Sequence, residues 1–462
     1  MRDEIAKLKS WLERRFLERS DEITCSLLAL CAGEHVLFLG PPGTAKSGLA
    51  RDVCTAVEGS FFYYLMTRFT TPEEIFGPLS LKALQEDDFS RKIDGYLPTA
   101  HIAFLDEIFK SNSSILNSFL TVLNERKFHN GQRTVDVPLI SAFGASNELP
   151  EDEDNLAALY DRFLFRCVVS PIREEENFRE LLFGDRRGAD IPLRLSVDQI
   201  RRAQQASTSV GVDDSVQRIV LRVRKELAQR RIEVSDRRWK KMMNTLRVAA
   251  ATAGRSAVDR SMVILLKHMA WSRPAQREEI ENLLIDLIIT GGESLEKLSR
   301  DVEDLCMLLY KTMDRPFPFP VRCYDCGEIL ESSKKLAAHD HEHPGHRFFD
   351  PHRTGLSLRF RRYDDLLTML KDEYGWDFVA GPSGRKREYQ LEYLALRNRY
   401  NRAAAQAMDD MGQLKSQLAG NLWVSARDAA AIMGRYAARQ RTMGQIDDAL
   451  GSIEFMLERV AD

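Results

Sequence analysis

Residues 36–47 read VLFLGPPGTAKS: four apolar residues, a loop with two glycines and two prolines, then a lysine and a serine opening a helical segment. No other stretch restricts the fold of this chain so strongly. A backbone that wraps its N–H groups around a phosphate needs a strand to enter the loop and a helix to leave it, and both are present. Gly40 and Gly43 permit the tight folding that points N–H groups inward. Lys46 brings a compact positive charge to β- and γ-phosphates, and the Ser47 hydroxyl can coordinate Mg²⁺. The helix after the loop offers its positive end to the same anion. The candidate nucleotide-binding segment is thus Gly40, Pro41, Pro42, Gly43, Thr44, Ala45, Lys46 and Ser47. One position departs from the usual pattern: Ala45 stands where such loops carry glycine before the lysine.

The surrounding sequence supports a parallel sheet. EHVLFLG (34–40), FFYYLM (61–66), HIAFLDE (101–107), LISAFGASN (139–147) and FLFRCVV (163–169) are short apolar runs, several apolar on both faces, with helical periodicity between them. Such alternation predicts an α/β domain with a five-stranded parallel sheet between helical layers. The third run ends in Asp106-Glu107, at the strand terminus where open α/β sheets bind ligands. Asp106 is placed to hold magnesium through water, and Glu107 to orient and polarise an attacking water. The fourth run ends in Asn147, whose amide can hydrogen-bond a γ-phosphate or that water. LYDRFLFR (159–166) supplies Arg162 and Arg166, candidates for stabilising charge at the γ-phosphate.

With these elements in order, the chain resembles the MoxR family of AAA+ ATPases. Its P-loop is similar to that family's variant, which has alanine before the lysine. YLMTRFTTPEEIFGPLSLKAL, GYLPTAHIAFLDEI, ILNSFLTVLNERKFHNG, ASNELPE, LAALYDRFLFR, VSDRRWKK and VILLKHMAW resemble the RavA branch, over about residues 1–290. The resemblance implies an ATPase using ATP and Mg²⁺, with Lys46 and Ser47 as the Walker A pair and Asp106 and Glu107 as Walker B. It implies Asn147 as sensor 1, Arg162 as an arginine finger acting in trans, and Arg237 as the sensor 2 arginine of an all-α lid, with Arg238 as its rival. It also implies a β-hairpin insertion around 77–97, homohexameric rings, and a partner bearing a von Willebrand A (vWA) domain.

Beyond about residue 292 the resemblance fades. We expect a nucleotide-binding domain over 1–190, a helical lid over 191–290, a helical C-terminal region over 291–320 and 355–462, and a metal-binding insertion over 321–354. Leu295, Leu298, Val302, Leu305 and Leu309 alternate three and four apart, as do Met443, Ile446, Leu450, Ile453, Leu457 and Val460. Each seam is short for a coiled coil, so core faces of a helical bundle are expected. RPFPFP (315–320) ends the first helix, and AGPSG (380–384) interrupts the later ones.

Between them lies VRCYDCGEILESSKKLAAHDHEHPGH. Cys323, Cys326, His339 and His343 have the spacing of a structural Cys₂His₂ zinc site, with four ligands and no open position for catalysis. His341, His346 and His352 leave the last ligand open. Leu330 and Leu336 fall where such a finger keeps its small core. As a DNA reader it is poor: of the base-facing positions Ser332, Lys335 and Ala338, only Lys335 is a strong reader, and Asp340 and Glu342 repel phosphates. The basic runs RFRR (359–362) and GRKRE (384–388) leave nucleic acid as the disfavoured partner, and protein docking or a structural role is preferred.

Composition narrows the class further. Net charge is −3 over 462 residues, which gives no bulk attraction for polyanions. No apolar run approaches the roughly 18 residues of a membrane span. The N-terminus carries too many acids for a secretory leader. Seven cysteines without framework spacing suggest a reducing, cytoplasmic location. The expected function is a ring ATPase that remodels a protein partner. The alternative is a nucleotide-switched scaffold or nucleic-acid-associated defence ATPase whose zinc-finger region does the binding.

Overall fold

The computed structural model describes residues 1–110, 113–149, 154–184, 190–290, 295–312, 316–349, 360–361, 365–366, 368 and 386–459. Val460, His352, AGPSG (380–384) and the basic residues Arg359, Arg362 and Arg385 lie outside these. The chain divides into two units, Met1–Gly291 with Gln413–Met433, and Gly292–Gly412 with Gly434–Asp462.

In the first unit, β1 (Val36–Leu39), β2 (Phe61–Leu65), β3 (Ile102–Asp106), β4 (Ser141–Ser146) and β5 (Phe165–Val168) form one sheet in the order β2-β3-β4-β1-β5. Every pairing is parallel, with Val36 opposite both Phe143 and Phe165. All five expected strands are present. β1 and β4 are buried throughout, and β3 as far as Leu105, because helices cover both faces; β2, at the edge, buries Phe62 but leaves Phe61, Tyr63 and Leu65 exposed. The strand order reverses around β1, so the loop after it opens into the crevice where parallel sheets take ligands.

α1 (Arg2–Arg15) and α2 (Ser20–Ala32) precede the sheet, and α3 (Lys46–Thr55) follows β1. The lid includes α4 (Asp236–Thr252), whose Ser235 side chain caps its first turn.

The expected hairpin around 77–97 is not there. That segment forms a short helical turn, Leu81–Leu84, capped by Ser80, and closes through a single antiparallel bridge, Leu79 to Arg91. A different hairpin, Lys127–Asn130 with Arg133–Asp136, precedes β4. The physical reason is local. Gly131-Gln132 forms the two-residue turn between Asn130 and Arg133, and Gly131 supplies the φ of 60° that a tight hairpin demands. The polar run KALQEDDFSRK alternates nothing. The two segments still meet: Asn130 Oδ1 accepts from the Arg91 N–H at 2.6 Å, and its Nδ2 donates back to the Arg91 carbonyl at 3.1 Å.

The stretch Gln413–Met433, expected within the C-terminal helical region, packs with the first unit. It joins α7 (Lys386–Leu418) to α8 (Ala426–Arg459). Trp423 is buried there, its indole N–H shared between the Ala249 carbonyl at 3.0 Å and Thr252 Oγ1 at 2.9 Å. Lys9 donates to the Leu422 carbonyl at 2.9 Å, and buried Lys267 pairs with buried Asp428.

The second unit has one hydrophobic cluster. α5 (Leu295–Thr312) contributes its seam, Leu295, Leu298, Val302, Leu305 and Leu309; α8 contributes Met443, Ile446, Leu450, Ile453 and Leu457. The seams are core faces, as their shortness indicated. A hairpin, β6 (Pro316–Arg322) and β7 (Ile329–Ser332), leads into α6 (Ser333–Glu342). Leu330 and Leu336 are buried in the same cluster as Leu298 and Ile453. The finger therefore shares its core with the helices rather than standing as a self-contained insertion.

Candidate functional site: a phosphate loop, an arginine cluster and a metal cluster

The phosphate loop owes its shape to three backbone constraints. A Cβ on Gly40 would meet the Val169 carbonyl oxygen at 2.1 Å, so only glycine fits beside β5. Gly43 sits at φ of 79°. Ala45 is also left-handed, at φ of 66°, the conformation for which glycine is the usual residue. An alanine there stores about 1–2 kcal/mol of strain.

Around the loop the predicted side chains come together. Ser47 Oγ donates to Asp106 Oδ2 at 2.8 Å, setting a hydroxyl and a carboxylate oxygen side by side, the hard-oxygen pair that suits Mg²⁺. Lys46 Nζ donates to the Gly40 and Pro41 carbonyls at 2.5 and 2.8 Å and to Asn147 Oδ1 at 3.0 Å. Asn147 Nδ2 donates to Glu107 Oε1 at 2.5 Å, while Glu107 Oε2 lies 3.3 Å from Lys110 Nζ. Asn147 thus bridges the phosphate lysine and the candidate base. Glu107 is held at φ of 54°, and strain of this kind, about 1–3 kcal/mol, gathers where function over-determines a backbone. Burial lowers the Lys46 pKa, and Asp106 and Glu107 oppose the shift.

Thr44 places its hydroxyl on the Pro41 carbonyl at 2.9 Å. Its own carbonyl is taken by a residue that no sequence motif singles out. Arg19, between α1 and α2 and almost fully buried, donates to the Thr44 carbonyl through Nη2 at 3.2 Å and Nε at 3.4 Å, and to the Ser170 carbonyl at 2.7 Å. No local spacing points from Arg19 to a loop 25 residues away.

The arginines lie elsewhere. Phe165 donates its N–H to the carbonyl of His35, the residue before β1, so Asp161 and Arg162 sit beyond the N-terminal ends of the strands. The phosphate loop leaves the opposite end, about 13 Å of β1 away. There Asp161 has four guanidinium groups around it: Arg237 at 2.9 Å, Arg238 at 3.5 Å, Arg162 at 3.8 Å and Arg166 at 3.9 Å. The rivals Arg237 and Arg238 differ sharply. Arg238 is buried and donates to the carbonyls of Met269 (2.6 Å), Leu164 (2.7 Å) and Phe163 (3.3 Å), fastening the lid to β5; burial pushes its pKa down to about 9. Arg237 is half exposed and holds only Asp161 among its described partners. Arg166 stacks on the Tyr160 ring at 3.9 Å and donates to the Trp271 carbonyl, a structural use. Arg162 keeps a buried Nε with no hydrogen-bond partner among the described residues; burial and then neighbouring Arg237 lower its pKa.

The metal cluster comprises Cys323, Cys326, His339 and His346, whose donor atoms all lie within 4.8 Å of one another. His343 is replaced as the fourth member. α6 ends at Glu342, and His343, its C-cap, has φ of −133°; its ring stacks against that of His346 at 4.8 Å but its ring nitrogens are outside the four-donor cluster. Pro344-Gly345 then turns the chain back and brings in His346. Cys323 Sγ to His346 Nδ1 is 3.5 Å, Cys326 Sγ to His339 Nε2 3.6 Å, and His339 Nε2 to His346 Nδ1 3.3 Å. Ligands of a tetrahedral zinc sit about 3.3–3.8 Å apart, so the donor set fits that ion. His339 Nδ1 lies 2.8 Å from Glu328 Oε2, the outer carboxylate that orients a ligating histidine. Gly327, at φ of 81°, closes the turn after the cysteines. The base-reading positions are engaged: Ser332 caps α6, and Lys335 pairs with Glu331 at 3.0 Å.

Comparison with known proteins matches the first unit. Residues 3–202 fit the MoxR domain of the MoxR-vWA-beta-propeller ternary systems, and residues 215–284 fit an AAA lid domain. Two uncharacterized proteins of Methanocaldococcus jannaschii are each 44% identical, one over 282 residues (61% of this chain, 72% of the relative) and one over 309 (65% and 82%). The chaperone MoxR1 of Mycobacterium tuberculosis is 29% identical over 204 residues, 43% of this chain and 52% of its own.

Proposed function

Because the chain belongs to the MoxR family of AAA+ ATPases, we propose that it binds ATP at the loop 40–47 and hydrolyses it between neighbouring copies of itself to remodel a protein partner. The observation that carries this reading is the linked set Lys46–Asn147–Glu107 with Ser47–Asp106 beside it. Mg²⁺, held through Ser47 and Asp106, supplies neutralising charge on the phosphates when bound. Lys46 moves from the loop carbonyls to the phosphate oxygens. That frees Asn147 to position the γ-phosphate or water, while Glu107 orients the water and draws its proton. Arg162 and Arg237, remote from their own phosphate loop, serve the loop of the next copy.

A closed ring, a homohexamer by family resemblance, satisfies that head-to-tail arrangement. The RavA-like branch is supported by the segments quoted above, and a vWA-domain partner by the name of the matched family. Cys323, Cys326, His339 and His346 hold zinc as a structural staple, and the region they staple docks the partner. No helix among the described residues is long and apolar enough to cross a membrane; the cysteine usage, seven residues without framework spacing, supports a cytoplasmic location.

The test is Glu107→Gln. Hydrolysis falls at least about 100-fold while ATP stays bound, read by steady-state phosphate release beside equilibrium binding. Wild-type turnover in this variant would remove Glu107 from the reaction. A wild-type protein that binds ATP without turnover would point to the nucleotide-switched scaffold instead.

A further inference from the structure

The Thr44 carbonyl faces Arg19, and a trans peptide sets its N–H opposite its C=O. Holding that carbonyl therefore aims the Ala45 N–H the other way. Ala45 is also the residue kept at φ of 66° without the freedom of glycine. Left to itself, an alanine there relaxes toward negative φ and rotates its flanking peptides out of the cradle. Arg19 opposes this with two donors on Thr44, and its third contact, to Ser170, fixes the guanidinium against the segment after β5. Its neighbour Glu18 anchors the turn, accepting the N–H groups of Arg173 and Glu174 at 2.9 Å and Asn177 Nδ2 at 3.0 Å.

We infer that Arg19 is a positioning residue for nucleotide binding, a clamp that holds the alanine-bearing phosphate loop in the conformation a glycine would adopt unaided. The inference rests on the ATPase reading and adds a residue outside the loop to it. Arg19 touches no phosphate in this role. It acts through the Thr44–Ala45 peptide, with its fork spanning the Thr44 and Ser170 carbonyls as lysine's single ammonium cannot.

The experiment is a double-mutant cycle between Arg19 and Ala45, read as the KM and kcat for ATP and as the Kd for a fluorescent ATP analogue. Arg19→Gln raises KM and Kd about 10-fold and changes kcat by less than about threefold, because the catalytic set Asp106–Glu107 is not displaced. Adding Ala45→Gly recovers most of that loss, since glycine holds the loop without the clamp. Arg19→Lys, which keeps the charge and loses the fork, shows an intermediate loss and serves if the glutamine variant does not fold. Arg19→Gln with unchanged Kd overturns the clamp. So does a double variant as weak as Arg19→Gln alone, which would make Arg19 a packing residue. Wild-type protein that binds no ATP would overturn the ATPase reading, and the clamp with it.

Discussion

At the C-terminal ends of β3, β4 and β1, Lys46, Asn147 and Glu107 form one hydrogen-bonded chain with Ser47 and Asp106 beside it. At the other end of the same sheet, one half-exposed carboxylate, Asp161, is surrounded by four arginines. The first end is balanced and complete for holding a nucleotide. The second carries surplus positive charge and, in Arg162, a buried donor with no described partner. Buried polar groups in a finished site are usually satisfied. The proposed reading explains the contrast: one chain would hold half of two sites, the arginine end being finished by an anion from the next copy.

Mixing breaks or sharpens that contrast with the largest effect. Arg162→Ala and Arg237→Ala each lower kcat about 10²–10³-fold, with ATP affinity changed little, if the arginines act only on a neighbour's γ-phosphate. Lys46→Ala is inactive for the opposite reason. Assemblies mixed from Arg162→Ala and Lys46→Ala chains regain activity, because some junctions pair an intact loop with intact arginines. Mixtures that stay at the level of the separate variants would mean that both ends serve one chain.

Arg238→Ala is the next in size and separates the rival arginines. It strips the carbonyls of Met269, Leu164 and Phe163 of a buried donor, which costs about 2–4 kcal/mol. The urea midpoint falls, whereas Arg237→Ala leaves it nearly unchanged. A stable but inactive Arg238→Ala protein beside an active Arg237→Ala protein would exchange their roles.

How much of this was legible in the sequence depends on how far apart the cooperating residues lie. The five strands, the phosphate loop, Asp106-Glu107 and Asn147 announce themselves within a few residues each, since a strand, a turn and a helix cap are local events. Arg19 is not local, because a clamp on Thr44 is visible only once α2 lies beside β1. Asp161 was passed over because a lone acid among arginines reads as a salt bridge until its four partners converge. His343 was preferred to His346 by helical spacing, which fails one residue past the end of α6. A hairpin was expected at 77–97 through resemblance, although Gly131-Gln132 carried the stronger physical signal.

The metal cluster asks whether the ATPase halves are self-contained. Cys323→Ser removes one of four ligands and lowers zinc content per chain, read by metal analysis of the purified protein. Since Leu330 and Leu336 share a cluster with Leu298 and Ile453, the second unit loses protease resistance as a whole, not the finger alone. Basal ATP hydrolysis stays within about twofold, as no residue of the phosphate or arginine ends belongs to that cluster. His346→Ala reproduces the zinc loss and His343→Ala does not. The reverse pattern would restore the helical-spacing assignment.

The last effect, present only at high pH, concerns the charge beside the phosphate loop. Asp21 and Glu22 are adjacent on α2 and shift in opposite directions. Burial pushes Asp21 up, but His268, Lys267, Arg277 and Arg427 outweigh it and hold its pKa at about 2. Burial dominates Glu22 and raises it to about 7, with Arg19 only a partial counterweight. A carboxyl raised from 4.5 to about 7 contributes stability that is full below pH 4.5 and lost as pH rises through 7. Glu22→Gln therefore changes the unfolding free energy little at pH 4.5 and raises it at pH 8 by up to about 3 kcal/mol. Denaturant titrations at the two pH values measure the difference. Below pH 7 Glu22 is largely neutral and leaves the positive charge of Arg19 unopposed from that side. If Glu22→Gln destabilises the protein at pH 8, the attraction of Arg19 for the ionised carboxylate outweighs the cost of its burial. The charge balance of the phosphate end would then include a Glu22–Arg19 pair at pH 8.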